Sequence, residues 1–113
     1  LWYTVIVASG DEYFKIKTPL GVTIRTTVDY WKKIITLKHP SIAKHEDEVK
    51  EALKSPDQIR KSKQDPRVHL YYKGIGKLNV CVVADHETKE SGYIITVYLT
   101  DRIKEGEQIY VKN

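Results

Sequence analysis

The sequence predicts an α+β fold in which two helices pack on one face of an antiparallel β-sheet and leave the other face open. Three observations support this prediction. Apolar residues alternate with period two near both ends of the chain, recur at helical spacing in the middle, and are separated by turn residues. An order of strands, then helices, then a run of strands is typical of α+β domains.

Length and composition fit one domain that spans residues 1–113. The chain has 113 residues, and 41% of them are hydrophobic, which is enough for a single core. Within this domain we expect N-terminal strands in residues 1–26, helices in residues 27–55 and a β-meander in residues 58–113.

Three short strands are predicted before the helices. Apolar, β-branched and aromatic residues dominate each one, and glycine, proline and aspartate mark the turns between them. The predicted strands are residues 2–8, 13–17 and 22–26.

The first helix is predicted from apolar residues at helical spacing, including Trp31 and Ile34. Thr26 followed by Asp29 fits a capping box, in which side chains satisfy the first free backbone amides. The helix is expected to end before Pro40, because a residue that precedes proline avoids the helical conformation.

The second helix is predicted over residues 42–54. Val49 and Leu53 fall on its apolar face, and Glu46 lies four residues before Lys50, which favours an ion pair along the helix surface. Proline and aspartate directly after residue 54 end it.

The C-terminal part returns to strand patterns. Residues 74–77, which contain two glycines, predict a hairpin turn between two of these strands. The predicted strands are residues 68–73, 78–84, 93–100 and 108–112.

The strand over residues 93–100 has two different faces. Its alternation places one set of side chains toward the core and a second set, rich in hydroxyl groups, on the opposite face. The expected core-facing residues are Tyr93, Ile95, Val97 and Leu99, and the expected outward-facing residues are Ile94, Thr96, Tyr98 and Thr100.

Charge and cysteine content narrow the class of protein. The net charge is +4 with a pI near 9.1, which is compatible with a polyanionic partner. The single cysteine, Cys81, excludes an internal disulfide framework and is expected to be a buried, inert thiol.

No apolar run approaches the ~20 residues that span a bilayer, and the first residues resemble a strand more than a signal peptide. We therefore expect a cytoplasmic protein with no membrane partner.

Metal and cofactor sites are not expected. None of the four histidines lies in a zinc-binding spacing, and Cys81 has no second cysteine beside it. The glycines at 74 and 76 join two predicted antiparallel strands, whereas phosphate-binding loops join a strand to a helix.

A set of histidine, cationic and hydroxyl side chains fits the cleavage of RNA without metal. A base removes the proton from the 2′-hydroxyl, the oxygen attacks phosphorus, and an acid protonates the leaving 5′-oxygen. Cations and hydroxyl donors stabilise the charge that develops at phosphorus. His39 suits the proton transfer, Arg60 and Lys73 could hold phosphate, and Thr96 and Tyr98 could donate to its oxygens. Bases could stack on Trp2, Tyr71 or Tyr72.

Each of these residues also fits a structural role. His39 could cap the second helix, and the charged residues 60–63 could form a solvated turn. One of Tyr71 and Tyr72 must point into the core. His45 borders the apolar face of the second helix, where a packed histidine is the commoner state.

The order of several sequence pieces between residues 29 and 100 is similar to that of a known group. The pieces are Tyr-Trp-Lys-Lys-Ile before His39-Pro40, Val-Lys-Glu-Ala-Leu at 49–53, Ser-Pro-Asp-Gln-Ile-Arg-Lys-Ser at 55–62, Leu-Tyr-Tyr-Lys at 70–73 and Ile-Ile-Thr-Val-Tyr at 94–98. This order resembles the phage- and mobile-element-associated nuclease-like domains of the barnase–EndoU–colicin–RelE superfold. Val97 stands where that group's Thr-Ala-Tyr signature has alanine.

The resemblance implies a helical layer on one face of an antiparallel sheet, an active site on the open face, and a metal-independent ribonuclease, often a toxin or mobile-element effector. It also implies a neutralising protein partner. The expected catalytic positions map onto His39 and Thr96, with Arg60, Ser62, Tyr72 and Lys73 around them.

We therefore expect a small ribonuclease that leaves a 2′,3′-cyclic phosphate and needs no cofactor. The expected catalytic residues are His39, Thr96, Arg60 and Tyr72, and the expected RNA-binding residues are Ser62, Lys73, Tyr98 and Lys61. Two alternatives remain open: a non-catalytic module that binds RNA or protein, and a structural or immunity-type protein that pairs through its N-terminal strands.

Overall fold

The computed structural model describes residues 11–104 and 106–113 and is an α+β fold built on one seven-stranded sheet. The predicted fold class is therefore confirmed. The predicted strand at residues 2–8 lies outside the described residues.

Seven strands and two α-helices follow one another within residues 11–104 and 106–113. The strands are β1 (Glu12–Lys17), β2 (Thr23–Thr27), β3 (Gln58–Lys61), β4 (Val68–Ile75), β5 (Leu78–Asp85), β6 (Ser91–Thr100) and β7 (Glu107–Val111). The α-helices are α1 (Val28–Lys33) and α2 (Glu46–Lys54), which are joined by a π-helical turn (Ile34–Lys38) and a 3₁₀ helix (Pro40–His45).

The strand order in the sheet is β1-β2-β6-β5-β4-β3-β7. Strands β4 to β6 form the predicted antiparallel meander, to which β3 adds beside β4, whereas β7 leaves the meander and pairs with β3. Strand β2 pairs with β6 in parallel over three residue pairs. The parallel pair joins the N-terminal hairpin to the C-terminal strands in one sheet.

The main core lies between the helical segments and one face of the sheet, which we call the helix face. Trp31, Ile34 and Leu53 pack from the helical side against side chains of the central strands. The sheet contributes Ile24, Ile59, Tyr71, Val80, Val82, Ala84, Ile94 and Val97. The opposite face, which we call the open face, has a smaller apolar cluster of Leu70, Tyr72 and Cys81.

The helical segment differs from the prediction in two details. Thr27, rather than Thr26, caps α1, because its Oγ1 accepts a hydrogen bond from the backbone N–H of Tyr30 at 3.2 Å. The predicted second helix is α-helical only from Glu46, since the 3₁₀ helix after Pro40 precedes it. The Glu46–Lys50 ion pair is confirmed at 3.2 Å.

A β-bulge in β6 changes which face its first residues occupy. Ala84 of β5 pairs with Ile94 and Val83 pairs with Thr96, so Ile95 is the extra residue. Ile94 therefore points into the core, where it is 1% exposed, and Tyr93 lies on the open face opposite Asp85. The prediction that Tyr93 and Ile95 face the core is wrong, whereas the prediction for Thr96 onward is correct.

Candidate functional site

The register of the sheet brings two rows of side chains together on the open face. Directly paired positions of β3, β4, β5 and β6 share a face, so these residues are neighbours across the strands. The first row is Arg60, Leu70, Val83 and Thr96, and the second is Gln58, Tyr72, Cys81 and Tyr98.

A groove of about 640 Å³ runs across these rows, and we call it the open-face groove. One wall comes from the loop after β3, and Leu70, Val83 and Thr96 form its floor. Its lining residues are Ser62, Lys63, Gln64, Asp65, Val68, Leu70, Val83, Thr96, Tyr98 and Lys104. The volume is within the range of small-ligand sites.

Two hydroxyl groups of the groove are buried without an oxygen or nitrogen hydrogen-bond partner among the described residues: Thr96 Oγ1 and the Tyr98 hydroxyl, which interacts only with the weakly bonding thiol of Cys81. Most buried polar groups in proteins are hydrogen-bonded, so two exceptions in neighbouring positions of one strand need an explanation. A ligand oxygen is one partner that would satisfy them.

Burial keeps the titratable side chains of the second row protonated. It raises the pKa of Tyr98 and Tyr72, the latter to about 12, and raises the pKa of the Cys81 thiol to about 11. All three groups are therefore protonated at neutral pH. The two tyrosines are suited to donate hydrogen bonds, and the thiol is not a nucleophile.

His39 lies beside Tyr98, with 5.8 Å between the ring centroids and 43° between the ring planes. Its backbone positions it, because its N–H donates to Ile34 O at 2.7 Å and its carbonyl accepts from Ile42 N at 3.0 Å. His39 is the N-cap residue of the 3₁₀ helix by its backbone, as the alternative role predicts, but its side chain makes no cap hydrogen bond, so the imidazole is not used for capping. The imidazole is partly exposed at the edge of β6.

Lys104 is a groove residue that the sequence did not indicate. Its Nζ lies 5.6 Å from the centroid of the Tyr98 ring, and its backbone N–H donates to the Tyr72 hydroxyl at 3.1 Å. Ile103 packs on the same cluster. The loop after β6 thus folds back over the second row.

Arg60 lies on the open face, but its guanidinium already has three partners. Nε donates to Gln58 Oε1 at 2.7 Å, Nη1 to Gly106 O at 3.0 Å and Nη2 to Gln108 Oε1 at 3.4 Å. Arg60 therefore holds β7 against β3 and adds positive charge close to Tyr72. The alternative that residues 60–63 form only a solvated turn is wrong for Arg60 and Lys61, which belong to β3.

Lys61 and Lys73 are not brought to the groove. Lys73 Nζ donates to Ser55 O at 2.9 Å, just after α2, and lies 3.8 Å from Asp57 Oδ1. Lys61 pairs with His69, which shares the helix face with Tyr71. Ser62 does line the groove, where its Oγ accepts from Gln64 N at 3.2 Å.

The helix face has its own polar cluster, which we call the histidine pair. The rings of His69 and His86 stack at 3.6 Å, and His86 Nε2 and the Tyr71 hydroxyl form a hydrogen bond of 2.8 Å. His69 Nδ1 donates to Arg67 O at 3.1 Å. Burial lowers the pKa of His69, and burial together with His69 lowers that of His86 to about 4. Both rings are neutral at pH 7.

His45 is the remaining histidine, and it lies outside the groove. Its Nδ1 is 3.0 Å from Glu48 Oε1 on the helical side. Of the four histidines, His39 therefore has the position closest to the groove hydroxyls within the part of the chain that the structure describes.

Two negative findings apply to residues 11–104 and 106–113. No three histidine, cysteine, aspartate or glutamate side chains in these ranges are grouped so as to hold a metal ion. No helix in the same ranges is long and apolar enough to cross a membrane.

Comparison with known proteins gives no match: no protein-family model fits the chain, and no curated protein or solved structure is significantly similar to it. The resemblance to nuclease-like domains therefore stays a prediction.

Proposed function

We propose that this protein is a metal-independent endoribonuclease whose open-face groove holds a phosphodiester of single-stranded RNA. The observation that carries the proposal is the position of His39 beside Tyr98, at a groove whose Thr96 and Tyr98 hydroxyls have no oxygen or nitrogen partner among the described residues. A proton-transfer group thus lies against the ring of Tyr98, one of the two residues that contribute these hydroxyls to the groove, although His39 itself does not line the groove.

Each residue has a distinct role in the proposed reaction. His39 accepts the proton of the 2′-hydroxyl, the 2′-oxygen forms a bond to phosphorus, and the bond from phosphorus to the 5′-oxygen breaks. The Lys104 ammonium, on the same Tyr98 ring, gives a proton to the leaving oxygen. The products are a 2′,3′-cyclic phosphate and a 5′-hydroxyl.

The hydroxyl donors stabilise the negative charge that develops on the phosphoryl oxygens. Tyr98 keeps its proton at neutral pH because burial raises its pKa, so it acts as a donor rather than as a base. Both hydroxyls lie below the groove surface, and Lys104 covers the Tyr98 ring. RNA therefore has to shift the Lys104 side chain off the Tyr98 ring as it binds, while the ammonium stays at the groove to protonate the leaving oxygen.

Positive charge supports an anionic substrate. The net charge of the chain is +4, and Lys63 and Lys104 both line the groove, with Arg60 on the same face. Asp65 also lines it and limits how strongly the groove attracts phosphate. We place the activity in the cytoplasm, as a toxin or mobile-element effector with a neutralising protein partner.

The test is cleavage of transfer RNA and unstructured RNA in excess chelator, with analysis of product ends. The wild-type protein should leave 2′,3′-cyclic phosphates, and His39→Ala should cut at least about 100-fold more slowly, which is the lower range for loss of a general base. His45→Ala is the matched control, because it removes a histidine outside the groove. Equal rates for His39→Ala and the wild type would overturn the assignment.

A second candidate function is binding of RNA without cleavage. The observation that favours it is the protonated state of the second row: Tyr72, Cys81 and Tyr98 all have raised pKa values. None of these three groups could then exchange a proton with His39 near neutral pH. This function predicts salt-sensitive binding that leaves the RNA intact and is the same for His39→Ala.

A further inference from the structure

A second cavity lies where β2 and β6 separate, and we call it the strand cleft. The two strands are paired only as far as Arg25 and Tyr93, and β6 then bulges at Ile95. The cleft has a volume of about 540 Å³, within the range of small-ligand sites. It is lined by Arg25, Thr26, Thr27, Tyr30, Tyr93, Ile94 and Ile95.

Two tyrosine rings line the strand cleft, and each is held by a hydrogen bond and contacts a cation. The Arg25 guanidinium lies 5.7 Å from the centroid of the Tyr93 ring, whose hydroxyl is 3.4 Å from Asp85 Oδ2. The Tyr30 hydroxyl donates to Ile95 O, and Lys38 Nζ lies 5.1 Å from the Tyr30 ring centroid. Both distances are typical of cation–π contacts.

These contacts fix the walls before any ligand arrives. Arg25 is itself held, because Nη1 donates to Gly92 O at 2.9 Å and Nη2 lies 2.7 Å from Glu87 Oε1. Lys38 Nζ also donates to the Tyr30 hydroxyl at 3.1 Å. A site with preformed aromatic walls loses little conformational entropy on binding.

A buried hydroxyl group of the cleft lacks a hydrogen bond. Thr26 lines the cleft and is 4% exposed, and its Oγ1 has no partner within residues 11–104 and 106–113. An unsatisfied buried hydroxyl lowers stability, so a ligand that pairs with it recovers binding energy. The cleft thus combines flat apolar walls with an unused polar group.

We propose that the strand cleft binds an unstacked heterocyclic base of single-stranded RNA, with Tyr30 and Tyr93 against the base and Thr26 hydrogen-bonded to its edge. This inference rests on the proposed function, since it names a base subsite next to the phosphate groove. The two sites are adjacent along β6, because Ile95 lines the cleft and Thr96 lines the groove.

A base fits the chemistry of the cleft better than a free phosphate does. Glu87 forms an ion pair with Arg25, and Asp85 forms one with Arg67 beside Tyr93. The positive charges near the cleft are therefore already neutralised and attract a free phosphate only weakly. Unpaired bases are commonly recognised by stacking on tyrosine, with hydrogen bonds to their edges.

The test is a titration with each of the four nucleoside 5′-monophosphates, followed by the NMR shifts of the Thr26, Tyr93 and Ile95 amides. We expect saturable shifts with at least one nucleotide, and none at these amides with ribose 5-phosphate, which lacks the base. Thr26→Val should weaken binding roughly tenfold by loss of one hydrogen bond, and Tyr93→Leu should weaken it at least as much by loss of stacking.

Thr18→Val is the matched control, because Thr18 is equally buried but lies outside the cleft. Thr26→Val keeps the shape of the side chain and breaks no hydrogen bond in the free protein, so it should fold at least as stably as the wild type. Nucleotide binding by Thr26→Val equal to that by Thr18→Val, or shifts that ribose 5-phosphate reproduces, would overturn the inference.

The outcome separates this inference from the proposed function. Base-dependent shifts in a protein that leaves RNA intact would keep the base subsite and reject the ribonuclease. Cleavage that depends on His39 but is unaffected by Thr26→Val and Tyr93→Leu, without base-dependent shifts, would keep the ribonuclease and reject the subsite.

Discussion

The two faces of the sheet each have a cluster of buried aromatic and polar groups, and the clusters differ in how their hydrogen bonds are met. On the helix face, the Tyr71 hydroxyl bonds to His86 and His69 bonds to a backbone carbonyl. On the open face, the Tyr98 hydroxyl and Thr96 Oγ1 have no oxygen or nitrogen partner among the described residues. A satisfied cluster stabilises the fold, whereas unsatisfied hydroxyls at a groove lower stability and are available to a ligand.

The two clusters also differ in the segments that cover them. Helical segments pack on the helix face, where Tyr71 belongs to the main core. On the open face, Tyr72 and Tyr98 are contacted by the short loop that contains Ile103 and Lys104. Of these two clusters, the one with unsatisfied hydroxyls is therefore the one that a ligand can reach with the smaller rearrangement.

Histidine substitutions should give the largest difference between the faces. His39→Ala should slow RNA cleavage at least about 100-fold and change the free energy of unfolding by less than about 1 kcal/mol, because the ring is partly exposed. His86→Ala should lower the free energy of unfolding by about 1–3 kcal/mol, since it leaves the Tyr71 hydroxyl unsatisfied. Cleavage assays and urea unfolding measure the two effects. Loss of cleavage in folded His86→Ala protein would contradict the separation of roles.

The pH dependence of stability should come in part from the histidine pair. The pKa of His86 is about 4 in the folded state and about 6.5 when unfolded, so between these values the unfolded chain binds more protons. The free energy of unfolding should therefore fall as the pH is lowered from 6.5 toward 4. Allowing for the half-exposed ring, we expect a fall of about 2 kcal/mol.

The measurement is the urea midpoint at several pH values between 7.5 and 4.5. Charged groups around the pair are Lys61, which disfavours protonation of His69, and Asp85, which favours protonation of both rings. His86→Gln should flatten the profile in this window, and His45→Gln should not. An unchanged profile in His86→Gln would assign the dependence to other groups.

Lysine substitutions should give a smaller difference between the two faces than the histidine substitutions do. In a His39→Ala background, which keeps RNA intact, Lys104→Gln should make the slope of log affinity against log salt shallower by about 0.7. Lys73→Gln should leave the slope unchanged, because Lys73 Nζ bonds to Ser55 O on the other side of the sheet. Fluorescence anisotropy with labelled RNA measures both slopes. Equal changes of slope in the two variants would show that the RNA phosphates do not bind the open face in preference to the helix face.

Local patterns predicted much of the fold. Strand alternation, proline and glycine positions and helical spacing depend on near neighbours, and they located β1, β2, both helical segments and β4 to β7 within a few residues. The short strand β3 was not predicted, because its four residues include two cations and its pairing with β4 and β7 depends on distant segments. The bulge at Ile95 was missed for the same reason, since only the register with β5 reveals it.

The candidate site was predicted in part. Alternation alone placed Thr96 and Tyr98 on one face, and the structure agrees. The same rule separates Tyr72 from Lys73, since successive strand residues point to opposite faces, so grouping them at one site conflicted with the pattern. Lys104 could not be found in this way, because a loop that folds back over a sheet leaves no periodic signal.

The most direct measurement compares the two buried tyrosine hydroxyls by removing each as Tyr98→Phe and Tyr71→Phe. We predict that Tyr98→Phe slows RNA cleavage roughly tenfold while the free energy of unfolding stays the same or rises, since that hydroxyl has no oxygen or nitrogen partner among the described residues and interacts only with the weakly bonding Cys81 thiol. Tyr71→Phe should keep wild-type cleavage and lower the free energy of unfolding by about 1 kcal/mol, since it removes the bond to His86. Wild-type cleavage by Tyr98→Phe, together with a lower free energy of unfolding, would contradict the functional interpretation of the open face.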